Sequence, residues 1–252
     1  MRTLFFVFVL FITLTACQKN NANKLNIAVA ANMQFAIEEL ALTFTEQTGI
    51  AINIILGSSG KLTAQITQGA PYHVFMSADM KYPKTLYTDG LTVNTPNIYA
   101  LGSLILWSTT DSINPSLHTL LNDQIKHIAI ANPKTAPYGK AAVEVLKKHK
   151  LYTVLKDKLV FGESISQVNQ FVSSKTSQIG FTNKSVIYQL NATQINAWTA
   201  VSKNDYTPIE QGIVILKQSD KELQKSWQFL EFMLSQQAKE ILLKHGYTTY
   251  AE

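Results

Sequence analysis

Short apolar runs that close on small polar residues, each followed by helical spacing, constrain this chain more than any other feature. Leu25-Asn26-Ile27-Ala28-Val29-Ala30 reads as a buried strand and closes on Ala31-Asn32. Met33, Ile37, Leu40, Ala41 and Phe44 then recur at helical spacing until Gly49 stops the helix. Ile50 to Leu56 is the next strand; Gly57-Ser58-Ser59-Gly60 follows, then a helix through Leu62 and Ile66 that ends near Gly69-Ala70-Pro71. Val74-Phe75-Met76 is a third strand, closed by Ser77-Ala78-Asp79. The scheme restarts past residue 100. Leu104 to Trp107 is a strand, and His127 to Ala131 leads through Asn132-Pro133 and Ala136-Pro137-Tyr138-Gly139 into a helix carrying Val143 and Leu146. Leu159 to Phe161 leads through Gly162-Glu163-Ser164-Ile165-Ser166 into a helix with Val168 and Phe171, and Ile179-Gly180-Phe181 leads to Thr182-Asn183-Lys184-Ser185. Ile213 to Leu216 is a late strand, and Lys221 to Gly246 is mostly helical. Strands alternating with helices predict an α/β fold, each sheet mostly parallel and flanked by helices. The halves share this pattern without a sequence repeat.

In a parallel sheet the helix N-termini gather at the carboxyl edge of the strands, where ligands bind. Their first N–H groups are unpaired and carry a partial positive charge. Small residues there let an anion approach, and Ser58, Ser59 and Asn32 can add side-chain donors. Ser and Asn are also the favoured caps of any helix, so one such turn carries no information. Several turns split between two halves point to two lobes that aim helix ends at one small anion across a cleft.

The first segment reads as an address. Met1-Arg2-Thr3 precedes an apolar stretch from Leu4 to Leu14, which is 11 residues and too short for the ~20 that span a bilayer. Leu14-Thr15-Ala16-Cys17 then resembles the lipobox of bacterial lipoproteins, and Cys17 is the only cysteine, so no internal disulfide is possible. An ordinary cleaved signal with a chance Cys is the alternative. The polar Gln18 to Lys24 reads as a tether. With 252 residues the body is one large domain or two small ones, and a 46% apolar share excludes disorder. The net charge is +5. Its basic residues form no dense stripe, which argues against nucleic-acid binding.

These segments together resemble the molybdate-binding protein family of bacterial molybdenum ABC importers. The residues that carry the resemblance are Ile27 to Asn32, Gly57-Ser58-Ser59-Gly60-Lys61-Leu62, Gly69 to Asp79, Ala129 to Pro133 with Ala136 to Gly139, Gly162 to Ile165, and Ala238 to Tyr247. The resemblance implies a two-lobed periplasmic-binding-protein-like fold with two crossover strands as hinge. It also implies an oxyanion held by backbone N–H groups and hydroxyls. Its ligand positions fall on Ala31 and Asn32, on Ser59 by hydroxyl and backbone, and on the Tyr138 and Ile165 backbones. Some members have Ser at the place of Asn32. Some have a ligating Tyr at the place of Asn183, which here reads as a helix cap rather than a fifth contact.

A charge-free site suits a dianion, because it needs donors and no acceptors. A carboxylate could instead accept the proton of hydrogen phosphate, and the cleft loops offer only Asp79, read as a cap, and Glu163, read as pointing away. Phosphate therefore ranks below molybdate, tungstate and sulfate. The five histidines (73, 118, 127, 149 and 245) are scattered, and no metal site other than the metal of the oxyanion is expected. A secreted hydrolase with Ser59 as nucleophile would need a His in the cleft turns, which have none. Lys61 is left outside the site.

The expectation is a non-enzymatic solute-binding protein that captures molybdate, and tungstate with it, for an ABC permease and its ATPase. The alternatives are a binding protein for sulfate or another tetrahedral oxyanion, or an anion sensor. Residues 1–16 are a lipoprotein signal, 17–24 the tether, 25–101 with 212–252 lobe one, and 102–211 lobe two. No cofactor is expected. The protein is expected to be exported, lipid-anchored at Cys17 and monomeric.

Overall fold

A computed structural model describes residues 24–188 and 197–250. The signal, Cys17 and most of the tether lie outside the described residues. In chain order the elements are β1 (Leu25–Ala30), a 3-10 turn (Ala31–Met33), α1 (Ala36–Thr48), β2 (Ile52–Gly57), α2 (Ser59–Thr67), β3 (Val74–Met76) and α3 (Lys81–Thr88). There follow β4 (Asn97–Gly102), β5 (Leu104–Ser108), β6 (Ile128–Ala131), α4 (Pro137–Lys148), the single turn α5 (Tyr152–Leu155), β7 (Leu159–Gly162) and α6 (Ile165–Ser173). The last are β8 (Ile179–Asn183), β9 (Ala197–Ala200), β10 (Ile209–Ile215), α7 (Asp220–Met233) and α8 (Gln236–Lys244).

Two five-stranded sheets result, ordered β2-β1-β3-β10-β4 and β7-β6-β8-β5-β9. β1 pairs in parallel with β2 and β3, whereas β10 runs antiparallel between β3 and β4. The second sheet repeats this: β6 is parallel to β7 and β8, and β5 is antiparallel to β8 and β9. The fold is therefore two-lobed α/β, each sheet having a parallel half and an antiparallel half. The chain passes from one sheet to the other between β4 and β5 and returns between β9 and β10.

β1 reads as a nearly continuous apolar run because both its faces are covered. Leu25, Ile27 and Val29 face the cluster of Leu40, Phe44 and Phe229, while Ala28 faces Leu62, Ile66 and Phe75. Phe44 has no solvent exposure, and its ring meets Phe229 edge-on at 5.2 Å. Burying such a ring contributes roughly 1.5–3 kcal/mol. Gly49 ends α1 at φ +72°, where the left-handed backbone favours glycine, and its N–H closes the last turn on Thr45. In the second lobe Ile128, Ile130, Val145, Val168 and Phe181 form one core. That core also takes in Ala30, Ala31 and Ala78 of the first lobe, so the packing is continuous where the lobes meet.

The lobes touch across the cleft. Gly60 N–H donates to the Thr135 carbonyl at 2.8 Å, and Tyr82 O–H donates to the Lys134 carbonyl at 3.2 Å. A Cβ at Gly60 would lie 2.9 Å from Thr135 Cα, so only glycine permits this approach. Lys61 and Glu163 form an ion pair over the rim. Among the described residues no helix is long and apolar enough to cross a membrane.

Candidate functional site

Four chain starts converge between the lobes. β1 ends into the turn at Ala31-Asn32, and β2 ends into α2 at Ser58-Ser59. On the other side α4 begins at Pro137-Tyr138 and α6 at Ile165. All of these residues line one cavity, with Ala30, Ala78 and Ala136 filling the spaces between them. The cavity is small, about 10 Å³ measured to the centre of a water-sized sphere, far below the 300–1,000 Å³ class of organic ligands. The five positions singled out in the sequence, Ala31, Asn32, Ser59, Tyr138 and Ile165, are thus brought together.

Local sequence explains which donors face the cavity. Pro137 is the first residue of α4 and has no N–H, so Tyr138 supplies the first free donor of that helix. Ile165 is the first residue of α6, after Ser164. Ser59 is the first residue of α2 and is only 1% exposed. Its Oγ accepts the Ala78 N–H at 3.0 Å, which leaves its hydroxyl hydrogen free to donate.

Charge is kept out. Among the described residues no Asp, Glu, Lys, Arg or His lines the cavity. Asp79, next in the chain to Ala78, accepts from the Ser77 hydroxyl at 3.2 Å and from Tyr82 N–H at 3.3 Å, so it caps the start of α3. Burial raises its carboxyl above the usual range. Glu163 turns outward to Lys61, which makes Lys61 a rim contact between lobes rather than a bystander. The histidines stand apart: His73 Nδ1 accepts Asn26 N–H at 2.9 Å, His149 pairs with Asp205 at 2.8 Å, and His245 pairs with Glu39 at 2.7 Å. Among the described residues no three His, Cys, Asp or Glu could hold a metal ion together.

Asn32 and Asn183 differ from the sequence expectation. Asn32 Nδ2 donates to Gln211 Oε1 at 2.8 Å and to the Tyr247 hydroxyl at 3.2 Å, so the side chain anchors the turn and the backbone N–H is the group left for a ligand. Asn183 neither lines the cavity nor acts simply as a cap. Its Nδ2 donates to the Asn32 carbonyl at 3.1 Å, joined there by Ser185 Oγ at 3.2 Å and the Tyr247 hydroxyl at 2.6 Å. Three donors on one carbonyl fix the Ala31–Asn32 turn from both lobes. Burial pushes the Tyr247 phenol up to about 12, so it stays a neutral donor. Sequence reasoning missed this support because its members lie far apart in the chain: 179 residues separate Asn32 from Gln211 and 215 separate it from Tyr247.

Two lobes joined by two crossings, closed over a small cavity of helix starts, define a two-lobed solute-binding protein. The chain belongs to the bacterial extracellular solute-binding protein family, whose description matches residues 25–248. It is 38% identical to the molybdate-binding protein ModA of Rhodobacter capsulatus, over 90% of this chain and 89% of that protein. It is 36% identical to ModA of Azotobacter vinelandii, over 93% of each chain. The solved structure of the periplasmic molybdate-binding protein of Azotobacter vinelandii superposes with a TM-score of 0.86 at 34% identity, covering 90% of this chain and 100% of that one.

Proposed function

We propose that this chain captures molybdate, and tungstate with it, and delivers it to the permease of an ABC importer driven by an ATPase. The observation that carries this reading is the donor set of the cavity: helix starts from both lobes, one oriented hydroxyl and no charged side chain. A tetrahedral dianion is matched by converging donors, and donors fixed by backbone need little reordering on binding. The ModA relatives, both named as molybdate-binding, support the choice of cargo. The ligands are the backbone N–H groups at Ala31, Asn32, Ser59, Tyr138 and Ile165, with the Ser59 hydroxyl. The anion is cargo, not a cofactor, and no covalent step occurs.

Lobe one comprises 25–101 and 212–252, lobe two 102–211, and the two crossings between them form the hinge about which the cleft opens. The monomer acts outside the cytoplasm, leashed by a lipid on Cys17 after removal of 1–16. A relative in Bacillus subtilis, 28% identical over 94% of each chain, is named a putative ABC transporter substrate-binding lipoprotein, which supports the anchored form.

The test is a thermal-shift titration of the mature domain with molybdate, tungstate, sulfate and phosphate in separate series. A ligand at 100 times its Kd adds roughly 2.7 kcal/mol of stability. Shifts with molybdate and tungstate are expected. A shift with sulfate alone would keep the cavity and change the cargo, and no shift with any anion would remove the oxyanion reading.

A further inference from the structure

Ser58 precedes α2 and occupies its N-cap position, with its carbonyl accepting the first helical bond from Leu62 N–H at 3.0 Å. A serine there ordinarily turns its hydroxyl onto the N–H two or three residues ahead. Ser58 does not: its side chain makes no capping bond. The N–H two residues ahead belongs to Gly60, and it donates across the cleft to the Thr135 carbonyl at 2.8 Å instead. The Ser58 hydroxyl is thereby left with no hydrogen-bond partner, although the residue is only 4% exposed. Buried hydroxyls without a partner are rare and ask for an explanation. Ser58 lines the same cavity as Ser59, and that cavity holds no charged group.

We infer that Ser58 is a further oxyanion ligand, donating its hydroxyl hydrogen to the bound anion beside Ser59. The inference rests on the proposed oxyanion function and adds a contact to it. The two serines then have different duties. Ser59 holds the Ala78 backbone in place whether or not a ligand is present, because its oxygen accepts the Ala78 N–H. Ser58 has no such structural bond, so its hydroxyl matters only when the anion is bound. The interlobe bond from Gly60 links the two events, since closing the cleft engages one of the two N–H groups, those of Gly60 and Lys61, that the Ser58 hydroxyl could otherwise cap.

The experiment measures two quantities on the mature protein and on Ser58→Ala and Ser58→Gly: the unfolding midpoint without ligand, and the Kd for molybdate by calorimetry. Glycine is an acceptable N-cap residue, so the second variant guards against a folding defect in the first. The expected result is an unchanged ligand-free midpoint with a Kd raised about ten- to hundredfold in both variants, the effect of losing one hydrogen bond to a charged group. A lowered ligand-free midpoint with an unchanged Kd would overturn the inference and make Ser58 an ordinary cap. An unchanged Kd with an unchanged midpoint would overturn it too, leaving Ser58 a bystander. If the wild type binds none of molybdate, tungstate and sulfate, the oxyanion reading itself fails and takes this inference with it. Binding by the wild type with equal binding by both variants removes the Ser58 contact alone.

Discussion

Ser59→Ala tests the cavity and its scaffold in one substitution. The Ser59 hydroxyl accepts the Ala78 N–H at 3.0 Å, and both residues are buried, at 1% and 3% exposure. Alanine leaves that backbone N–H without a partner, which costs about 1–3 kcal/mol in the ligand-free protein. For a domain of this size each kcal/mol lowers the unfolding midpoint by about 2–4 °C. The same change removes a donor to the anion, worth about 1.5–3 kcal/mol, so Kd for molybdate rises about ten- to hundredfold. Both effects are expected together, read by thermal unfolding without ligand and by calorimetric titration. A variant with wild-type affinity would refute the assignment of Ser59 as a ligand. A variant with reduced affinity but an unchanged ligand-free midpoint would refute the structural half of the reasoning.

Three further outcomes are expected. The Lys61–Glu163 pair lies exposed on the rim, with side chains 52% and 60% accessible, so Lys61→Ala lowers anion affinity by less than about fivefold, an effect that fades at high salt. Titrations at low and high ionic strength check this, and a large salt-independent loss would place Lys61 in the cavity after all. Burial holds the His73 imidazole below its ordinary range, and its Nδ1 accepts Asn26 N–H only when neutral. The unfolded chain therefore binds a proton that the native one does not. Stability is level above about pH 6.5 and falls as pH drops below it toward the native value. Denaturation midpoints across that interval should show this slope, and His73→Gln, which keeps an acceptor for Asn26, should flatten it. Cys17→Ser is expected to move the protein from the membrane fraction to the soluble one, and a variant that stays with membranes would contradict the lipid anchor.

Much of the fold was legible because the central parallel strands are buried on both faces. β3 and β6 announce themselves as unbroken apolar runs and β1 as a run interrupted only by Asn26, and Gly49 marks a helix end by its backbone requirement. β4 and β9 were not read as strands. β9 is Ala-Trp-Thr-Ala at a sheet edge with mostly exposed residues, so no buried face writes a pattern into it. The helix starts around the cavity were legible for a related reason, since Pro, Gly and Ser mark where helices begin, whereas the particular ligand positions among them came from the family resemblance. The support behind it was not. Whether Asn183 caps, ligates or props the Asn32 carbonyl depends on a contact between residues 151 apart, which no local spacing encodes. The idle hydroxyl of Ser58 likewise follows from a bond made by Gly60 to the other lobe.

The central claim is that a small, charge-free cavity of backbone donors binds a dianion, and isothermal titration of the mature protein with molybdate in two buffers of different ionisation enthalpy tests it most directly. With no acidic or basic side chain lining the cavity and burial keeping the Tyr138 phenol protonated, the expected result is a 1:1 complex whose binding heat is the same in both buffers, because no proton is taken up or released. Absence of binding, or a heat that tracks the buffer and so reports a titrating group in the site, would contradict it.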